Sequence, residues 1–156
     1  MGCVNSQEAT EKKVDDTTKV NDTKLILFNS TYKNTPPFFP SFKECKVVKI
    51  YDADTWHAAA IVDGKVQRFM IRMMGYDSPE LRTKNPAEKK AALEAKDALV
   101  KRMDQKMVQI EIIPKKEKYG RLLAIVRDEQ GEVNKWMVDH GYGKPYFGGK
   151  KEVFGE

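Results

Sequence analysis

Three short segments carry the side chains that can do chemistry. The first is Tyr51-Asp52-Ala53-Asp54-Thr55. Two carboxylates two residues apart lie on the same side of an extended chain. Such a pair is costly unless a cation or water meets it. The second is Ile71-Arg72-Met73-Met74-Gly75-Tyr76-Asp77-Ser78-Pro79-Glu80. There a strand carries Arg72, and a turn at Asp77-Ser78-Pro79 lets Asp77 and Glu80 converge. The third is Lys118-Tyr119-Gly120-Arg121, which sets a Tyr and an Arg at a strand start, with Gly120 permitting close backbone approach. Each segment alone also reads as an ordinary turn or surface ion pair; together they are more specific. Hard carboxylate oxygens suit Ca²⁺ or Mg²⁺. His57 and His140 stand far apart, with no Cys at a metal-binding spacing, so zinc is not indicated. Arg72 and Arg121 beside a divalent cation suit the negative charge that develops on a phosphodiester, since guanidinium stays protonated and grips phosphate with a fork. A remaining carboxylate can orient or deprotonate the attacking water.

These segments need elements to hold them. Cys45 to Ile50, Thr55 to Val62 and Lys65 to Met73 read as strands. Asp63-Gly64 between the last two is a strong hairpin signal, because a type I′ turn needs positive φ at both positions. Asn85-Pro86-Ala87-Glu88 predicts a helix start, with Asn85 as cap, Pro86 at the first helical position and Glu88 completing a capping box. That helix runs to about Asp104, with Ala92, Ala95, Leu99 and Met103 on one face; Lys89, Lys90, Lys96 and Lys101 read as solvated. Met107 to Ile113 and Leu122 to Arg127 complete five strands. Asn134 to His140 is a short helix stopped by Gly141. Five short strands with an inserted helix fit an OB-type barrel, an α+β fold that is mainly β, with two to three helices. Thr35 to Pro40 holds three prolines and reads as an extended lead-in or a partner-binding polyproline segment.

The chain has 156 residues, enough for one ordinary domain. Its formal net charge is +5, and 40% of its residues are hydrophobic, which excludes collagen, coiled coil and wholesale disorder. Residues 1–34 carry equal numbers of Lys and acids, so the whole excess lies on 35–156. The run Leu25-Ile26-Leu27-Phe28 is too short to span a bilayer. The chain opens Met1-Gly2-Cys3-Val4-Asn5-Ser6, which matches the pattern for myristoylation at Gly2 and offers Cys3 for palmitoylation. One myristoyl chain binds membranes weakly, so the second acyl group matters. We expect residues 1–34 to be a tether, flexible from Gln7 to Lys24, and residues 35–156 to be the domain. An acylated chain would sit on the cytoplasmic face of a membrane, and otherwise in the cytoplasm. Cys45 then reads as a reduced, buried strand residue.

The motifs Asp-x-Asp-Thr, Ile-Arg-x-x-Gly-x-Asp-Ser-Pro-Glu and Lys-Tyr-Gly-Arg, followed by Val133-Asn134 and Gly141, resemble the staphylococcal nuclease (thermonuclease) family over residues 43–147. The resemblance implies an OB-fold, Ca²⁺-dependent phosphodiesterase acting on DNA and RNA and leaving 3′-phosphates. It implies Asp54 and Asp77 as direct Ca²⁺ ligands, with the Ser78 carbonyl, and Asp52 as an outer acid holding a bound water. It assigns Glu80 to the attacking water, Arg72 and Arg121 to the phosphate, Tyr119 to a terminal phosphate and Tyr146 to base stacking, the last with a spacing off by about one residue. Ala53 replaces the family's usual Gly, Ser78 its usual Thr, and the loop from Glu80 to Asn85 is much shorter than the bacterial enzyme's. A monomer with no obligate protein partner is expected. The alternative is a member of the same fold that binds nucleic acid or protein without catalysis.

Overall fold

The computed structural model describes residues 16–149, with side chains from residue 22 onward. The chain divides into two units, Met1–Phe38 and Phe39–Glu156. In the first, Asp16–Phe28 form helix α1. The sequence pattern predicts a flexible tether as far as Lys24. No Gly or Pro occurs between Val4 and Asn34, so nothing breaks the helix once it starts. Its end is closed by Asn29 N–H donating to the Leu25 carbonyl and Ser30 Oγ donating to the Ile26 carbonyl.

In the second unit the strands are β1 (Glu44–Ile50), β2 (Thr55–Val62), β3 (Lys65–Met73), β4 (Gly75–Asp77), β5 (Met107–Ile113), β6 (Leu122–Asp128), β7 (Gly131–Glu132) and β8 (Lys144–Tyr146). The helices are α2 (Pro86–Met103) and α3 (Val133–Asp139). Antiparallel pairings join β3 to β2, β2 to β1, β1 to β5 and β5 to β6. A parallel pairing of β3 with β6, Ile71 opposite Leu122, closes the five strands into a barrel. The expected α+β OB-type barrel is the fold. Asp63 and Gly64, at φ 51° and 72°, make the expected β2–β3 turn.

Inward-facing Val47, Trp56, Ile71, Met73 and Val126 fill the barrel, and Leu99 and Met103 of α2 and Met137 of α3 join them. Strand burial alternates, as in β2, where Trp56, Ala58, Ala60 and Val62 are buried. α2 begins as predicted, with Asn85 Oδ1 accepting from the Ala87 and Glu88 N–H groups. The capping box does not close. Glu88 instead accepts from the N–H of Glu80, so its carboxylate ties down the preceding loop. α3 starts one residue earlier than predicted. Gly141, at φ 76°, ends it in a Schellman arrangement: Tyr142 N–H donates to Met137 O and Gly141 N–H to Val138 O.

Candidate active site

The register of β2 on β3 sets Thr55 directly opposite Arg72. The first two motifs therefore meet where β2 begins and β3 ends. Met73 N–H donates to the Asp54 carbonyl at 2.8 Å, and the Tyr51 and Asp52 N–H groups both reach the Thr55 carbonyl, which fixes the turn that presents Asp54. From below, Tyr76 Oη donates to the Ala53 carbonyl. Positive φ outside glycine occurs only at Asp63 and Gln105 among the described residues, so Ala53 sits there without that strain.

Arg72 is the centre of the site. Its Nη1 donates to Asp54 Oδ2 at 2.5 Å and its Nη2 to Asp77 Oδ1 at 3.0 Å. All three side chains are largely buried, at 14% exposed for Arg72, 5% for Asp54 and 8% for Asp77. Burial works against the Arg72 charge, but the two carboxylates outweigh it and hold the guanidinium above its ordinary value. Asp52 lies alongside, its Oδ1 accepting from the Asp54 N–H. Burial, reinforced by the charge of Asp54, pushes the Asp52 carboxyl up to about 6. Two acids thus hold one guanidinium, with Asp52 bonded to the backbone of one of them.

The parallel pairing of β6 with β3 brings Arg121, just before β6, to the same place. Its Nη1 donates to Thr55 Oγ1 at 3.1 Å, and that hydroxyl donates to Asp54 Oδ1 at 2.8 Å. Its Nη2 donates to Glu117 Oε1. The other Glu117 oxygen accepts from the N–H groups of Tyr119 at 2.7 Å and Arg121 at 3.4 Å. The hydrogen bond from Arg121 holds the Glu117 carboxyl down at about 2. Arg121 Nε is buried with no acceptor.

Glu80 is exposed. Its Oε1 accepts from the N–H of Arg82 in its own loop, and no hydrogen bond or ion pair joins it to either arginine. That loop is pinned by Arg82 Nη2 donating to the Tyr51 hydroxyl. Ser78 is half-buried and Pro79 buried at the turn between Asp77 and Glu80. Tyr119 is 70% exposed, with the Arg121 guanidinium 5.3 Å from its ring centre. Tyr146, on β8 opposite Gly75, donates its hydroxyl to the Gly149 carbonyl. It lines a cavity of about 250 Å³ with Arg72, Glu117 and Phe147, the last 77% exposed. Gly2 and Cys3 lie outside the described residues. Among the described residues no three His, Cys, Asp or Glu side chains form a ligand cluster. The structure thus joins Asp52, Asp54, Arg72, Asp77 and Arg121, and leaves Glu80, Tyr119 and Tyr146 around the rim.

Sequence reasoning missed Glu117 and Thr55 as the groups that orient Arg121. The one signal for Glu117 is an acid alone in the basic run Lys115-Lys116-Glu117-Lys118.

Residues 70–154, more than half of the chain, match the family described as staphylococcal nuclease homologue. The chain belongs to the staphylococcal nuclease family. The matched span holds Arg72, Asp77, Glu80, Tyr119, Arg121 and Tyr146. It starts after Asp52 and Asp54, which reach the site through the β2–β3 register. The chain is also 35% identical over 100 residues to an uncharacterized protein of Bacillus anthracis, across 63% of this chain. It spans 45% of that relative's length.

Proposed function

We propose that this staphylococcal nuclease homologue is a Ca²⁺-dependent phosphodiesterase that hydrolyses DNA and RNA without regard to the sugar. The observation that carries the reading is the convergence of two oriented guanidinium groups, Arg72 and Arg121, on one carboxylate-rich end of the barrel. Arg121 keeps a buried Nε without an acceptor, and a phosphate oxygen supplies one. The pair binds the scissile phosphate and stabilises its growing charge; loss of one such donor costs roughly 10²–10³ in rate. Glu117 and Thr55 set the Arg121 fork before substrate arrives. Glu80, exposed at the rim, orients or deprotonates the attacking water.

The donor set suits calcium. Asp54 and Asp77 offer hard carboxylate oxygens at one end of the barrel, with Asp52 hydrogen-bonded to the Asp54 backbone beside them. Asp54, Asp77 and the Ser78 carbonyl would hold the ion, with Asp52 outside them; the remaining ligands would be water. Bound there, Ca²⁺ supplies further positive charge toward the phosphate. Tyr119 meets a terminal phosphate and Tyr146 a base, and products end in 3′-phosphates. Gly2 and Cys3 carry acyl groups that hold the chain on the cytoplasmic face of a membrane, with residues 1–34 linking them to the nuclease domain at 35–156. The protein works as a monomer.

The test is cleavage of single-stranded DNA, duplex DNA and RNA with Ca²⁺, with Mg²⁺ and with chelator, beside Glu80→Gln and Arg72→Ala. Cleavage that needs Ca²⁺ and drops at least about 100-fold in both variants supports the reading. Folded protein that cuts no better than its variants overturns it and leaves a non-catalytic binding module.

A further inference from the structure

The cross-strand register places more on the outer face of the barrel than Thr55 and Arg72. Directly opposite residues share one side of a sheet. Thr55 and Arg72 form the first row of the outer β2–β3 face. The next row along the strands is Lys49, His57 and Met70. The one after is Lys46, Ala59 and Arg68. A bulge between Val47 and Lys49 brings both lysines to this outer side. Lys46, Lys49 and Arg68 are exposed, and no ion pair among the described residues engages them. No Asp or Glu stands in either of these two rows. Ala59 at the centre keeps the surface shallow. The next row ends the basic stretch with Ile61 opposite Val66.

We propose that this face is a track for nucleic acid, in which Lys49, Lys46 and Arg68 hold the two phosphates next to the one gripped by Arg72. The place where the track starts rests on the nuclease reading. The spacing supports the assignment. Alternate residues of a strand are about 6.7 Å apart, so each row advances by about the phosphate-to-phosphate step of an extended single strand. Arg72 to Arg68 is roughly 13 Å, two such steps. Charge supports it as well. Burial, with the charges of Arg68 and Lys49, holds the His57 imidazole below its ordinary value, so the two cations act on one locus and not as separate surface groups. A sheet face of cations interleaved with small and aliphatic side chains, continuous with a phosphate-binding arginine, complements a polyanion that extends from the site.

The experiment compares binding of a dinucleotide, a tetranucleotide and a dodecamer of single-stranded DNA to the full chain, in EDTA so that nothing is cut. The face variant is Lys46→Ala/Lys49→Ala/Arg68→Ala. A control with the same charge change elsewhere is Lys89→Ala/Lys90→Ala/Lys101→Ala on α2. The natural chain should bind the tetranucleotide about tenfold or more tighter than the dinucleotide at low salt, and the face variant should lose that gain. Its salt slope on the dodecamer should fall by about 1.4, at about 0.7 for each of the two phosphates no longer neutralised. Dinucleotide binding should be unchanged. Tetranucleotide binding no tighter than dinucleotide binding overturns the inference, whether or not the protein cleaves. An equal loss in the control overturns it too, as an effect of net charge. Loss confined to the face variant supports it even in protein that cuts nothing, where the nuclease reading alone falls. Phosphatidylserine vesicles are the last arm: vesicle binding lost in the face variant with oligonucleotide binding kept overturns the track in favour of a lipid surface.

Discussion

Glu117→Gln isolates what a single carboxylate does for the site. Glutamine keeps the size and one acceptor oxygen but removes the charge. In the folded protein the hydrogen bond from Arg121 lowers the Glu117 carboxyl from its ordinary 4.5 to about 2. Each pH unit is worth about 1.4 kcal/mol, so ionised Glu117 contributes up to about 3 kcal/mol of stability. The side chains are 12% and 16% exposed, so solvent screens the pair only in part. The sign follows from the lowered value. The contribution is complete above about pH 5, where the unfolded carboxyl is also ionised, and disappears as pH falls from 4.5 toward 2. Urea or thermal melts of natural and variant protein should therefore differ by about 1–3 kcal/mol at pH 6 and converge near pH 2. Turnover at saturating substrate should fall about tenfold, through a loosened Arg121 rather than a lost one. A stability gap that stays constant with pH refutes the electrostatic reasoning. Full turnover despite the pH-dependent gap refutes the claim that Glu117 positions Arg121 for chemistry.

Two further predictions concern the rest of the barrel. Arg102, with 4% of its side chain exposed, is held by Asp128 through paired bonds at 2.7 and 2.8 Å. Asp128→Ala strands that charge and should cost about 3–5 kcal/mol in chemical denaturation, while Arg102→Met in the same background should recover most of it. Burial pushes the Cys45 thiol up to about 12, so in a Cys3→Ser background a disulfide-exchange reagent at pH 8 should leave Cys45 unmodified in native protein and titrate it in denaturant; rapid labelling of that native variant would contradict its burial.

The barrel is readable because its strands announce themselves by alternation. β2, β3 and β5 occupy the stretches the pattern predicts, and β1 and β6 differ by one residue at an end. β4, β7 and β8 have only two or three residues and contain Gly75, Gly131 or Pro145, so no period can be seen in them. Their pairing matters nonetheless, because β8 carries Tyr146 alongside β4. α1 reads as a tether because its composition is polar until Leu25, although the stretch lacks any breaker. In the site, Asp52, Asp54, Arg72, Asp77 and Arg121 are visible as types at revealing spacings. Glu117 is not, since its role is set by a hydrogen bond with Arg121 that the strand geometry creates. Glu88 reads as a local cap and serves a neighbouring loop, since propensity does not say which of two nearby N–H groups a carboxylate will choose.

The two arginines differ in a way that bears on how the site binds. Arg72 gives one N–H of each terminal nitrogen to a carboxylate, so on the nuclease reading a phosphate would meet its remaining N–H donors beside Asp54 and Asp77. Arg121 is committed to one hydroxyl and one carboxylate and leaves a buried Nε without an acceptor. A buried donor left unpaired costs about 1–3 kcal/mol and is rare in folded proteins. Among the described residues two other buried side-chain nitrogens share that state, Trp56 Nε1 and Arg102 Nη1. The Arg102 guanidinium has its carbon 4.5 Å from the Trp136 ring centre, where the ring face offsets part of the loss. Arg121 has the Tyr119 ring at 5.3 Å, but Tyr119 is exposed and gives weaker compensation. An anion that reaches Nε recovers the penalty on binding. On the nuclease reading, affinity for a phosphate would be stored in Arg121 while the barrel folds, and the hydrogen bonds from Arg121 to Glu117 and Thr55 would hold its fork in place for that ligand.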